Sequence, residues 1–522
     1  MHRLGMAALG AIAAASLVAT AAAETHADNS SPASLAQLDD KALLAELAAA
    51  EKLPDRDGCR RSAYYGEMVR RRPQMQPSSV GLFLTGTCAV AERRLRDALE
   101  SLSRAEKLFL AAREPALLPR IDELAAYSAS AIEDHSAFVE HVGHIAERNS
   151  PTEFAAMNIE FWIGLLAQTR AESAEPAALA LAKAGSFGTL PPGVRRAVSQ
   201  RAVGPALAAG ETELAARLAV AESNPTVLIT FLIDRTFEPI WPQLEDAAGV
   251  GMKRALAANL VAVEARYREQ SSNPEALARM TEARVYVGDY AGALKAGAGI
   301  TRSAAGFIDL KEDEAWTLDA MVAAFDALGR FQEADALYDG IVSLDPSSHN
   351  WLANFAINRA ERLVSQGRFG EALPAAEQAA ALAVSQGTFY ARVLAQSHRF
   401  CALSGLDPDD LRLADWWQAI ETHWRDSPGA AITASACNRD RAAGKRLLRK
   451  ALADPEHRGE VLRALQPGTV LLYRDSRARR ERVVSLIDGD AELSNLFGQV
   501  GRILPARLAP HPEEPSPSDP DR

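Results

Sequence analysis

Apolar side chains recur at helical spacing on both sides of a glycine near the middle of the chain. Leu318 and Phe325 precede Gly329 in this pattern, and Leu337 and Ile341 follow it. Glycine readily takes the left-handed conformation that ends a helix, so two amphipathic helices are predicted to meet at Gly329.

The residues after this glycine predict how the two helices pack. We expect Phe331 to fill the space inside the turn. We expect Ala334 to allow close approach, because its side chain adds almost no bulk. Asp345 and Pro346 should end the second helix, since proline disfavours helical geometry in the residue before it.

The same arrangement occurs three times. Gly288, Gly329 and Gly367 are 41 and then 38 residues apart. Each unit of about 40 residues is therefore predicted to be one helical hairpin, and hairpins repeated at a steady period stack on one another. An aromatic residue follows each glycine by two positions and an alanine follows it by five, namely Tyr290, Phe331 and Phe369, and Ala293, Ala334 and Ala372.

These units resemble the tetratricopeptide repeat family over residues 274–406. The middle unit matches the family pattern best, with Gly329, Phe331, Ala334, Tyr338 and Pro346. The other two units lack the closing proline. The resemblance implies a right-handed α-solenoid of stacked hairpins that binds a peptide or a partner protein in a groove lined by the first helices.

Composition predicts an all-α fold. Aromatic residues make up only 6% of the chain, alanine-rich helical patterns fill most of it, and no run of alternating β-branched residues stands out.

We expect an N-terminal helical region with degenerate repeats at 34–235, the tetratricopeptide-like repeats at 236–406 and a C-terminal helical region at 407–508. In the first region, Leu95 and Ala98 keep the repeat pattern, but Arg93 replaces the glycine.

The first residues predict export. His2 and Arg3 precede a short apolar run, and Ala21 to Ala23 form a small-residue cleavage site, so residues 1–23 should be a signal peptide. We expect a disordered leader at 24–33 and a disordered, acidic, proline-rich tail at 509–522. The protein should be exported, to the periplasm if the source is a Gram-negative bacterium, without an integral membrane segment.

Four cysteines follow the signal peptide. Cys59 begins one predicted helix and Cys88 ends the next, so an antiparallel hairpin would bring them together. Cys401 and Cys437 lie in separate C-terminal helices. We favour the disulfides 59–88 and 401–437, with buried free thiols as the alternative, because connectivity cannot be derived from sequence.

Charge and histidine spacing limit the candidate chemistry. A net charge of −11 argues against nucleic acid as a partner. His141 and His144 lie one helical turn apart, but two ligands do not make a zinc site, and an exposed polar helix face is the alternative interpretation. An arginine run suits peripheral contact with the cell envelope, and the alternative interpretation is a solvated helix face paired with nearby acidic residues. The run comprises Arg474, Arg477, Arg479, Arg480 and Arg482.

Three functional hypotheses follow. The chain contains no phosphate-binding glycine loop and no nucleophile elbow, so we predict no catalytic, cofactor or metal site. The leading hypothesis is a non-catalytic scaffold with a protein or peptide partner. The alternatives are an accessory subunit of envelope machinery for polysaccharide export, outer-membrane assembly or peptidoglycan enzymes, and a helical metal-dependent hydrolase using His141 and His144.

Export should remove the first 23 residues, because Ala23 is followed by the charged Glu24. The N-terminal mass of exported protein should therefore begin at Glu24. A mature protein that still begins at Met1 would contradict the export prediction.

Overall fold

The structure is a computed structural model that describes residues 35–510, except 36, 40, 44, 46–57, 72–77, 114, 149–170, 185–186, 190–191, 222–223, 302–306, 308 and 467–483. The predicted signal peptide, the leader, most of the acidic tail and the arginine run lie outside the described residues. Within the described ranges every regular element is a helix, and the only strand-like pairing is an isolated bridge between Asp234 and Gly501. The all-α prediction is confirmed for this part of the chain.

The chain divides into two compact units, residues 1–221 and 222–522. This division comes before the sequence-based boundary at 235/236, and it keeps the repeats and the C-terminal helices in one unit. Unit 1 contains α1 (Gly58–Arg71), α2 (Ser79–Ala91), α3 (Leu95–Ala112), α4 (Leu118–Ala131), α5 (His135–Arg148), α6 (Ala171–Lys183), α7 (Pro192–Ala208) and α8 (Thr212–Val220).

Unit 2 contains fifteen described α-helices, and short 3₁₀ turns join some of them. They are α9 (Pro225–Ile233), α10 (Trp241–Ala248), α11 (Lys253–Glu269), α12 (Pro274–Tyr286), α13 (Tyr290–Thr301), α14 (Glu312–Ala327), α15 (Phe331–Val342), α16 (Leu352–Ser365), α17 (Phe369–Gln386), α18 (Phe389–Leu406), α19 (Arg412–Thr422), α20 (Pro428–Cys437), α21 (Arg441–Leu452), α22 (Arg458–Ala464) and α23 (Ala491–Val500).

Among the residues that the structure describes, the same kind of backbone turn joins the two helices in each of six hairpins, which are found in both units. In each turn a residue with positive φ is followed by an amide that donates to the carbonyl five residues earlier, over 2.8–3.0 Å. This is the Schellman arrangement, which satisfies carbonyls at the end of a helix. The residues with positive φ are Arg93, Glu133, Gly210, Gly288, Gly329 and Gly367.

Glycine is not present in all six turns. Arg93 and Glu133 have φ of 59° and 60°, although a left-handed conformation costs a residue with a Cβ atom about 1 kcal/mol. The turn is kept at these two positions because the helices on either side pack against each other. The same turn geometry therefore occurs in unit 1 as well, at Arg93 before Leu95 and Ala98, and at Glu133, where the sequence pattern did not reveal a turn.

A second feature accompanies every one of these turns. The residue five positions after the left-handed residue is fully buried in all six hairpins. Five of the six are alanine, whose small side chain lets the second helix pack close to the first, whereas a phenylalanine fills this position in the Glu133 hairpin. The six are Ala98, Phe138, Ala215, Ala293, Ala334 and Ala372.

Phe331 does not fill the turn as expected. Its side chain is 48% exposed at the first position of α15, and the backbone hydrogen bonds of the turn join the two helices without it. The apolar core of this hairpin instead contains Leu337, Tyr338 and Ile341 from α15, packed against Leu318 from α14.

A buried arginine joins two successive hairpins of unit 2. Arg362 of α16 is inaccessible to solvent and donates two hydrogen bonds to Asp326 of α14, at 2.6 and 2.7 Å. It donates a third, at 2.5 Å, to Asp335 of α15. Burial works against the charged form of Arg362, but the two aspartates outweigh it and raise the pKa of the guanidinium. Arg368 also donates to both carboxylate oxygens of Asp335, at 3.0 Å each.

A second buried carboxylate connects the same three helices. Asp319 of α14 is 1% exposed and accepts hydrogen bonds from the Tyr338 hydroxyl at 2.6 Å and from Asn358 Nδ2 at 3.0 Å. Tyr338 lies on α15 and Asn358 on α16. The buried polar groups between these hairpins are therefore hydrogen-bonded to each other, and these hydrogen bonds give the helices a defined register.

The two ends of unit 2 pack against each other. The Arg502 amide donates to Ile233 O at 2.9 Å, and its guanidinium donates to Leu232 O at 2.6 Å. The same guanidinium lies 3.5 Å from the centroid of the Trp241 ring and forms an ion pair with Glu245 at 2.9 Å. Contacts that span more than 250 residues thus hold the beginning of this unit to its end.

Replacing Ala334 by leucine should destabilise the protein, because three further heavy atoms would enter a fully buried contact between α14 and α15. We expect a loss of about 1–3 kcal/mol in the free energy of unfolding. Ala336→Leu is the matched control, since Ala336 is exposed on the same helix and its replacement should change stability by less than about 0.5 kcal/mol. Equal thermal melts for the two variants would show that Ala334 does not lie at the hairpin contact.

Candidate functional site

Polar side chains from three helices of unit 1 meet in the interior. Glu106 comes from α3 and Asp122 from α4, whereas His141, His144 and Arg148 follow one another along α5. The three residues of α5 are three and four positions apart, so they point to the same side of that helix. We call these five residues the acidic–histidine cluster.

The two carboxylates of the cluster are deeply buried. Glu106 is 4% exposed, Asp122 is inaccessible to solvent, and His141 is 2% exposed. A charged group in the interior requires a partner of opposite charge or a metal ion, because burial removes its hydration. The alternative interpretation of the histidines as an exposed polar face is therefore wrong for His141.

The ring nitrogens approach both carboxylates. His141 Nδ1 lies 3.3 Å from Asp122 Oδ1 and 3.9 Å from Glu106 Oε2. His144 Nδ1 lies 2.8 Å from Glu106 Oε1 and 3.5 Å from Asp122 Oδ1. Taking one ligand atom from each of these four residues, the four atoms lie within 4.8 Å of one another, close enough to hold one metal ion.

One of these contacts is short without being a hydrogen bond. His144 Nδ1 is shielded from solvent and has no hydrogen-bond partner, although a Glu106 oxygen lies 2.8 Å away. Because 2.8 Å is an ordinary hydrogen-bond distance, it is the angle between the two groups that prevents a hydrogen bond. His144 Nδ1 therefore faces the Glu106 carboxylate without donating or accepting a hydrogen bond.

Arg148 supplies the only cationic side chain among the five residues. Its Nη1 atom donates to Glu106 Oε1 at 2.6 Å and to Asp122 Oδ2 at 3.1 Å. One guanidinium thus serves two carboxylates. The cluster keeps a formal charge of −1 when both imidazoles are neutral.

Sequence reasoning found the two histidines of the cluster but not its acids. Glu140 and Glu147 are neighbours of the histidines in sequence, yet both are exposed and neither joins the cluster. Glu106 and Asp122 come from other helices and are brought there by packing. A signal for Glu106 was present, since it lies on the same side of α3 as the apolar Leu99 and Leu102.

Two disulfides link helices within the units. Cys59 of α1 pairs with Cys88 of α2, and Cys401 of α18 pairs with Cys437 of α20, with Cα atoms 4.6 and 5.2 Å apart. These are the pairs that the sequence favours. No cysteine of the chain is free.

Exposed apolar side chains mark one edge of unit 2. Leu328 and Phe331 at the turn between α14 and α15 are 43% and 48% exposed, and Leu406 and Leu411 between α18 and α19 are 49% and 90% exposed. We call these four residues the turn edge. The Phe369 ring, in the intervening turn, packs on Gly405, where an added Cβ atom would lie 2.5 Å from that ring.

Neighbouring turns are also joined by polar contacts. Arg362, near the turn between α16 and α17, donates to Phe331 O at 3.4 Å, and Arg368 within that turn contacts Asp335. The three turns therefore lie side by side.

Among the described residues, no helix is long and apolar enough to cross a membrane. No protein-family model matches the chain, and a search of curated proteins found no match to it.

Proposed function

We propose that this chain is an exported, non-catalytic scaffold that binds a partner protein or peptide, and that its hairpins form a right-handed solenoid of the tetratricopeptide-repeat type. Support for the repeat class comes from the six equivalent turns and from the buried residue five positions after each turn. Proteins built from stacked hairpins present extended surfaces to their partners.

The observation that carries the proposal is the exposure of Leu328, Phe331, Leu406 and Leu411. Apolar side chains exposed at neighbouring turns of an exported protein favour aggregation unless a partner covers them. A helical or extended segment with apolar side chains is the chemistry that this edge favours. The partner therefore docks at the turn edge.

The first helices offer less surface than the family resemblance implies. Ala320 and Ala323 of α14 are each 2% exposed and pack with Val285 and Ala293 of the preceding hairpin. This part of α14 has no open face on which a ligand could rest. We therefore assign the docking surface to the turns instead of a groove along the first helices.

The two disulfides support the export part of the proposal. Disulfides persist in oxidising compartments and are rare in reducing ones. A dedicated partner in the envelope would make the chain an accessory subunit of envelope machinery, which differs from a general scaffold only in the number of partners.

Crosslinking in envelope extracts tests the proposal. The double variant Phe331→Ser, Leu411→Ser should lose at least about nine tenths of the crosslinked product that the parent forms, because truncating central apolar anchors costs more than about 1 kcal/mol each. The product is identified by mass spectrometry, and yields are compared at equal protein concentration.

The matched control is Val261→Ser, Val384→Ser, since these valines are 64% and 66% exposed but lie outside the turn edge. It should crosslink as the parent does. If both double variants gave the parental yield of the same product, or if the parent gave no specific product, the proposed docking surface would be wrong.

A further inference from the structure

We propose that Glu106, Asp122, His141 and His144 form a binding site for one divalent transition-metal ion of the zinc class. This inference is independent of the proposed scaffold function. It also departs from the sequence-based expectation of no metal, which considered only the two histidines.

The separations between the ligand atoms fit one small coordination sphere. Metal–ligand bonds of about 2.0–2.1 Å in a tetrahedral site place neighbouring ligand atoms about 3.3 Å apart. The nitrogen–oxygen separations between the two histidines and the two acids, 2.8 Å to Glu106 Oε1, 3.3 and 3.5 Å to Asp122 Oδ1 and 3.9 Å to Glu106 Oε2, lie on both sides of this value. Two imidazoles with two carboxylates are a donor set that suits zinc.

Charge balance favours a divalent ion. Two carboxylates and two neutral imidazoles carry a charge of −2, which a divalent cation neutralises fully. Arg148 can neutralise only half of it. The ion would also give His144 Nδ1 the partner that it lacks in its contact with Glu106.

Arg148 contacts both acidic members of the cluster, and we infer that it competes with the metal for them. Its side chain is 20% exposed, whereas Asp122 is inaccessible. The guanidinium can therefore turn towards solvent when the ion binds, while the four ligands stay in place. Arg148 would keep the carboxylates paired in the metal-free protein.

The four protein ligands would complete the coordination sphere. A tetrahedral site with no position left for water stabilises structure and does not activate a nucleophile. Because the ligands come from α3, α4 and α5, the ion would connect three consecutive helices of unit 1. The site thus serves stability, and it differs from a hydrolase centre in this respect.

Zinc titration of the full mature protein tests the inference. The protein is stripped with a chelator and titrated with ZnCl₂, with bound metal measured by mass spectrometry and affinity by calorimetry. We expect one equivalent of zinc and a melting temperature that rises by about 5 °C or more when zinc is present at one hundred times Kd. His144→Ala should weaken binding by more than about 100-fold, since it removes a ligand and not an outer contact.

Two further variants make the test specific. Arg148→Gln should tighten zinc binding by about tenfold or more, because it removes a positive charge that competes for both acids. His423→Ala, which removes a 58% exposed histidine near Asp426, should bind zinc as the parent does.

The proposal would be overturned if the parent bound no stoichiometric zinc, or if His144→Ala and His423→Ala bound it equally. If His144→Ala failed to fold, the parent and Arg148→Gln would decide the matter. Weaker zinc binding by Arg148→Gln would mean that the arginine belongs to a permanent ion-pair network and does not compete with a metal.

Discussion

The packing of successive hairpins in unit 2 depends on the buried guanidinium of Arg362. A charge without access to water is tolerated only when its hydrogen bonds are made, and here they are made to Asp326 and Asp335 of the preceding hairpin. Sliding α16 by one residue along α14 would separate these groups. The pair therefore contributes more to the register of the hairpins than to net stability, because its Coulomb energy is largely offset by desolvation.

Much of the fold could be predicted from the sequence, because it depends on local patterns. Apolar periodicity marked the helices, and Gly288, Gly329 and Gly367 marked three turns. The turns at Arg93 and Glu133 carry no such mark. Tertiary packing there outweighs the backbone preference of a residue with a Cβ atom, and a preference of about 1 kcal/mol is easily outweighed.

Residues that act across helices could not be predicted in this way. Arg362 follows the pattern of an exposed helix position, and only its two partners explain its burial. Glu106 and Asp122 belong to helices that contain neither histidine, so no spacing rule connects them with His141. Phe331 was expected inside the hairpin because the residue type suggested it, whereas the backbone had already closed the turn.

The candidate binding groups of the two units differ in chemistry. In unit 1 they are the buried, charged residues of the acidic–histidine cluster, which suit an ion that strengthens the fold. In unit 2 they are the exposed, apolar residues of the turn edge, which suit a partner. Both features arise from the same repeated hairpin, because each hairpin has an interior between its helices and a turn at the surface.

The claim that Arg362 fixes the register of successive hairpins in unit 2 is tested most directly by a double-mutant cycle between Arg362 and Asp326. The cycle uses the single variants Arg362→Met and Asp326→Asn and their combination. The pair Arg359–Asp339, which links α16 to α15 over 2.5 Å but is 27% and 60% exposed, is the matched control. The account predicts a coupling free energy of about 3 kcal/mol for Arg362 with Asp326, and less than about 1 kcal/mol for the exposed pair. Equal coupling in the two cycles would contradict it.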